Sequence, residues 1–241
     1  MSDDIRKVVL QDLEENIDLK YKAFTKKLSK GVPLLGVRNP IVRSLAQKYL
    51  KTYSKDELLY KLPQDPSYEE LLIRGVVIAK LKVDIKERLE LIKDFLTYLN
   101  GWAICDCFCA SLKDCKKHPQ EYYEFINPLF TDKAHPFYVR FALVMSLDYF
   151  CSDDYVDSLV NFIEEIDTTH YYVHMGVAWL MATLYCKCKD KFTPYLHTIK
   201  LDSKTYNKGL TKIRESLIPT KEEKAYIKTL KRQDYCLSSH D

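Results

Sequence analysis

The chain has 241 residues, 46% of them hydrophobic, and its 37 Lys and Arg nearly balance 34 Asp and Glu for a formal net charge of +3. That length and apolar content can build a substantial core. A charge so close to balance does not by itself announce a polyanion partner, and no apolar run reaches the roughly 18 to 20 residues needed to cross a bilayer.

The opening MSDDIRK has no signal-peptide pattern, so a cytoplasmic protein without a membrane partner is expected. Acids collect early, at Asp3, Asp4, Asp12, Glu14, Glu15 and Asp18, and a basic stretch follows with Lys20, Lys22, Lys26, Lys27 and Lys30. Helix-start signals then recur. Asn39-Pro40 and His135-Pro136 read as a cap followed by proline in the first turn, while Ser54 with Glu57, Ser67 with Glu70, Asp84 with Glu87 and Thr220 with Glu223 have the spacing of capping boxes. No β alternation or Asn-Gly hairpin competes with them. The pattern predicts an all-α protein of about a dozen helices, roughly 10 to 18 residues each, in about six antiparallel pairs. Without a linker or low-complexity segment, a single domain over residues 1–241 is expected, with a frayed tail at 233–241.

One position recurs along these helices. It holds Arg43, Arg74, Asp106, Arg140, His174 and Lys208, and the steps from 106 to 140, 140 to 174 and 174 to 208 are each 34 residues. Around it the runs LLIRGVVIA, WAICDCFCA, FYVRFALVM and YYVHMGVAW are otherwise apolar. A helix that is hydrophobic nearly all round is an inner helix, and an ionisable group placed there needs a partner or an opening onto a groove. A helix pair per repeat that cannot bury its apolar face alone predicts an α-solenoid with a concave inner surface. HEAT-like repeats fit better than tetratricopeptide repeats, whose small-residue and proline pattern is missing. With caps expected at Asn39, His135, Thr169 and Ser203, the recurring residues fall four or five positions into their helices, where the backbone dipole favours anions. A basic groove with one carboxylate in it is the expectation.

The eight cysteines include no C-x-x-C pair, and Cys105, Cys107 and Cys109 alternate along a predicted helix, so free thiols packing as small hydrophobes are expected, with no metal and no cofactor. Basic clusters recur at Lys187, Lys189 and Lys191, then at Lys204, Lys208, Lys212 and Arg214. For any one of them a solvated helix face is the plain explanation. Both tryptophans stand beside the recurring position: Trp102 precedes Asp106 by four residues, hence on the same helix face, and Trp179 follows His174 by five. Taken singly, either could be core.

The runs NGWAICDCFCASLK, HPFYVRFALV, HYYVHMGVAWLM and TYNKGLTKIRESL resemble the DNA alkylation repair family, the HEAT-like-repeat alkylpurine DNA glycosylases. The resemblance extends from LLGVRNPIVR to KAYIKTLKR, and the tryptophan and aspartate of GWAICD are its most specific part. It implies a monomer acting on duplex DNA that carries cationic N3- or N7-alkylated purines, and hydrolysis of the N-glycosidic bond without the usual extrusion of the base. It matches Asp106 to the catalytic carboxylate, Trp102 and Trp179 to aromatic walls about the lesion, and Arg140 to a phosphate-contacting arginine. Arg43, Arg74, His174 and Lys208 are further DNA-binding candidates, each with an intramolecular role as the alternative. Two positions depart from the pattern: Ala182 stands where the family's glycosylases carry an arginine, and Gly101 where an aromatic can occur. The first removes a cationic contact and bears directly on activity.

The residues alone leave Asp106 open between catalysis and an ion pair with Arg140, and the function open between glycosylase, non-catalytic binder of bent, bulged or branched DNA, and protein-binding adaptor.

Overall fold

The computed structural model describes residues 2–26 and 32–233, and every regular element among them is helical. Lys27, Lys30 and residues 234–241 of the expected tail lie outside the described residues. No helix in the described part is long and apolar enough to cross a membrane. The chain divides into two compact units, one through Tyr122 and one from Tyr123 onward.

The first unit contains α1 (Ser2–Glu14), α2 (Leu19–Lys26), α3 (Asn39–Thr52), α4 (Lys55–Leu58), α5 (Tyr68–Lys80), α6 (Ile85–Leu96) and α7 (Trp102–Cys109), and the division falls within α8 (Pro119–Ile126). Local chemistry sets the starts of these helices. Ser54 and Ser67 form complete capping boxes with Glu57 and Glu70, and Asp84 accepts a hydrogen bond from the Glu87 amide at 2.9 Å. At α3 the expectation needs correcting. Arg38, with extended backbone, occupies the cap position, Asn39 is already helical, and the Asn39 side-chain oxygen is buried without a hydrogen-bond partner. Proline at residue 40 fixes the first turn, so the helix begins one residue earlier than the cap residue type suggested.

α5 is the inner helix that its composition predicts, because every residue from Tyr68 to Ala79 except Arg74 is buried. It packs on both α3 and α7, so consecutive bearers of the recurring position are neighbours in this unit. Each fully buried Leu, Ile or Val along it contributes on the order of 1.5 to 3 kcal/mol. Glu69, fully buried, accepts the backbone amides of Leu35, Gly36 and Val37 at 3.0, 2.7 and 3.1 Å and so ties the loop before α3 to α5. Gly36 there has φ +99°, the left-handed region that favours glycine.

The second unit contains α9 (Pro136–Met145), α10 (Val156–Glu165), α11 (Tyr171–Lys187), the short α12 (Lys189–Phe192) and α13 (Tyr195–Thr198), α14 (Ser203–Glu215) and α15 (Lys221–Thr229). α9 runs on into a π-helical turn at Ser146–Phe150, where the Ser146 hydroxyl donates to the Ala142 carbonyl at 2.8 Å. α11 packs against α9 on one side and α14 on the other, repeating the arrangement of the first unit. Gly209 allows the close approach of α14, since a Cβ there would lie 2.5 Å from the Met181 sulfur. The caps again sit one residue away from expectation: His170 rather than Thr169 precedes α11, and Asp202 rather than Ser203 caps α14 through the Thr205 amide at 2.8 Å. The aspartate wins over the serine because Thr168 also donates to it, at 2.7 Å.

Among the described residues, all seven cysteines are free. Of the three lysines at 187, 189 and 191, Lys189 pairs with Glu223 at 2.6 Å and Lys191 with Asp157 at 2.9 Å, the plain surface role.

Candidate nucleic-acid interface

α7 opens on Trp102, with Gly101 as its cap residue, and Asp106 follows one turn later. Ile104, Cys105, Phe108 and Cys109 are buried while Trp102 and Asp106 are half-buried, so the indole and the carboxylate share the less covered side of an otherwise core helix. A Cβ at Gly101 would meet nothing within 4 Å, so an aromatic side chain fits at this position without a clash at its base. Next along α7, burial pushes the Cys107 thiol above its ordinary pKa while the side chain of Arg43, hydrogen-bonded to it, opposes the shift. Arg43 is otherwise exposed, and Arg74 is not. The Arg74 guanidinium donates to the Tyr60 carbonyl and lies over the Tyr60 ring at 4.8 Å, and burial lowers its pKa.

In the second unit Arg140 is 1% exposed. Its Nη1 donates to the Tyr172 carbonyl at 2.8 Å, and the guanidinium lies 5.3 Å from the Trp179 ring and 5.8 Å from that of Tyr172. These cation–π distances hold the indole and the arginine as one group on α9 and α11. His174 is 7% exposed, and its Nδ1 shares a 2.8 Å hydrogen bond with the Thr205 hydroxyl. Burial and the nearby Lys204 and Lys208 lower its pKa against the opposing pull of Asp202, which favours the neutral ring. Lys208 is half-buried on α14.

The recurring position thus holds residues of unlike standing. Arg140 and Arg74 are engaged inside the protein, Arg43 and Lys208 reach the surface, and His174 is a buried ring at the edge of a groove that Lys208 also lines. The structure keeps Trp102 and Asp106 one turn apart on the less covered side of α7 in the first unit, and brings Arg140 to Trp179 in the second. Sequence reasoning missed Tyr172 and Thr205, which hold Arg140 and His174. Their signal was available in the register: they lie 32 and 31 residues after their partners, two and three positions before the next recurring residue.

Ala182 lines an open recess of about 360 Å³ with Trp179, Lys187 and Lys212. Two cations therefore border the place left by the smaller side chain. Lys187 donates to the Leu147 carbonyl at 3.2 Å, and Lys212 pairs with Glu215 at 2.6 Å. Among the described residues, no group of three His, Cys, Asp or Glu side chains is placed to hold a metal ion.

Among the described residues the fold is all helical, with Trp102 and Asp106 on one helix of the first unit and Arg140 held against Trp179 in the second. The family described as DNA alkylation repair enzyme matches residues 9–217, and the chain belongs to that family. Its role is accordingly in DNA repair, with DNA as its partner. No curated protein matches the chain.

Proposed function

We propose that the protein is an alkylpurine DNA glycosylase that hydrolyses the N-glycosidic bond of cationic N3- or N7-alkylated purines in duplex DNA, held along an α-solenoid of HEAT-like repeats without extrusion of the base. The observation that carries this reading is the Trp102–Asp106 pair, a carboxylate and an indole one turn apart on the less covered side of α7.

The chemistry asks for little more. As the bond between C1′ and the purine nitrogen breaks, the positively charged base takes the bonding electrons and leaves neutral, and positive charge develops on the sugar. A fixed carboxylate and an electron-rich ring face stabilise that cation better than reorganising water does. Water then forms the new bond to C1′ and gives up a proton, with Asp106 as the group that orients it. Alkylation has already made the base a good leaving group, so one carboxylate suffices where ordinary glycoside hydrolysis uses two. Trp179 and Arg140 are assigned to holding the lesion's sugar and backbone, and the surface cations Arg43 and Lys208 to the flanking DNA, while Arg74 and His174, engaged by Tyr60 and Thr205, brace the helices behind them. Lys187 and Lys212 take over the contact that Ala182 cannot make.

The test is base release from DNA bearing N7-methylguanine or N3-methyladenine. Wild type should release the free base, and Asp106→Asn should be slower by about 100-fold or more while still retarding the DNA. Retardation by both proteins with release by neither would replace this reading with that of a non-catalytic DNA binder.

A further inference from the structure

α11, α14 and α15 enclose an open groove of about 580 Å³ whose lining includes Lys204, Lys208, Arg214, Lys228 and Lys231 and no acidic residue. None of these five cations forms an ion pair among the described residues, whereas Lys189, Lys191 and Lys212 in the same unit each do. Like charges gathered about one groove repel one another; Glu215, outside the lining, draws on Lys208, and an anionic ligand seated in the groove relieves the rest.

The walls are set in place beforehand. Asn207 of α14 donates to the Arg232 carbonyl at 2.9 Å and accepts from the Arg232 amide at 2.9 Å. Arg232 in turn donates to the carbonyls of Leu201 and Ile199 and lies 3.7 Å over the Tyr206 ring. The end of α15 is thereby fixed to α14, and Lys228 and Lys231 face the groove from a braced segment. At its lip Tyr171 is 64% exposed, its ring braced edge-on against Tyr172 at 5.3 Å.

We propose that this groove is a binding site for a single nucleic-acid strand, with successive phosphates on the lysines and Arg214 and an unpaired base stacked on Tyr171. A cationic track beside an exposed aromatic is the combination that unpaired strands use, because every base offers a π-face. A duplex keeps its bases stacked on one another and has none to give Tyr171, and the groove is of a size for a small ligand or a short stretch of one strand. The site depends on neither Asp106 nor the proposed base release, and shares with the residues considered for that reaction only His174 and Lys208 of its lining.

Fluorescence anisotropy with a labelled single-stranded oligonucleotide, and with a duplex of the same length, tests it. Lys228→Ala with Lys231→Ala should weaken single-strand binding at least tenfold and reduce the slope of log affinity against log salt by about 1.4, two contacts at ~0.7 each. Tyr171→Ala should weaken the same binding about tenfold, and Tyr171→Phe should restore it. Unchanged single-strand affinity in the double variant would overturn the proposal, as would equal losses for strand and duplex or Tyr171→Phe behaving like Tyr171→Ala. Displacement of the strand by phosphatidylserine vesicles, with the lysine variant blocking vesicle binding, would assign the groove to a membrane surface instead. Base release from alkylated duplex is read in a separate assay, so failure of the strand site and failure of the glycosylase reading are distinguishable.

Discussion

Charged side chains in this protein divide by what the backbone offers them. Glu69 has no cation beside it in the contacts described; it is held by three amides of one loop. Removing the carboxylate in Glu69→Ala leaves those donors facing a void, and the expected loss, read by urea unfolding, is on the order of 3 kcal/mol. His174 carries a different liability. Its folded pKa lies below the ordinary value of 6.5, so the unfolded chain takes up the proton first. Stability then rises with pH through this window and falls as pH drops below about 6.5. Melting temperatures measured from neutral to mildly acidic pH should show that fall, and His174→Gln, which can still meet Thr205, should flatten it. An identical slope in the variant would mean that other groups set the acid response.

Helix boundaries follow from side chains that compete for the same amides, and glycine marks where elements come closest. Gly36 and Gly209 make the contrast. At Gly36 the backbone has φ +99° and a Cβ would lie 2.4 Å from the Lys22 Cβ, so neither chain can yield without moving backbone. Gly36→Ala should cost about 2 kcal/mol or more. At Gly209 the obstructing atoms are the sulfur and terminal methyl of Met181, the free end of a flexible side chain. Gly209→Ala gains helix propensity against a modest rearrangement and should stay within about 1 kcal/mol of wild type in a thermal melt. Equal losses at the two positions would show that α14 is less adaptable than its contact with Met181 implies.

At the scale of the whole molecule, stability comes from apolar burial, and among the described residues no disulfide supports it. Burial pushes the thiols of Cys115 and Cys151 up to about 12, with the charge of Asp114 adding to the rise at Cys115 and Lys187 opposing it at Cys151. Thiols held protonated react slowly. The melting temperature should be the same with and without reductant, and native protein should resist thiol alkylation at Cys115 and Cys151 until it unfolds. Since Asp106 is half-buried on the less covered side of α7 and asparagine keeps its size and hydrogen-bonding capacity, Asp106→Asn should melt within a few degrees of wild type, which separates lost chemistry from lost fold.

The order of apolar and capping residues placed the long helices, because the periodicity of burial and the hydrogen bonds of Ser54, Ser67 and Thr220 are local properties. It missed caps at residues 38, 170 and 202 by one position and did not foresee helices as short as α4, α12 and α13. The recurring position was legible for the same reason, and so was the family. The standing of each residue at that position was not. Whether a cation such as Arg74 spends its charge on a carbonyl, or one such as Lys208 keeps it for a ligand, depends on what the neighbouring helices present, and Tyr60, Tyr172 and Thr205 supply those partners from 14 to 32 residues away. The basic groove on α14 and α15 is of the same kind: its lysines are ordinary surface residues in the chain, and only packing gathers them without an acid between them.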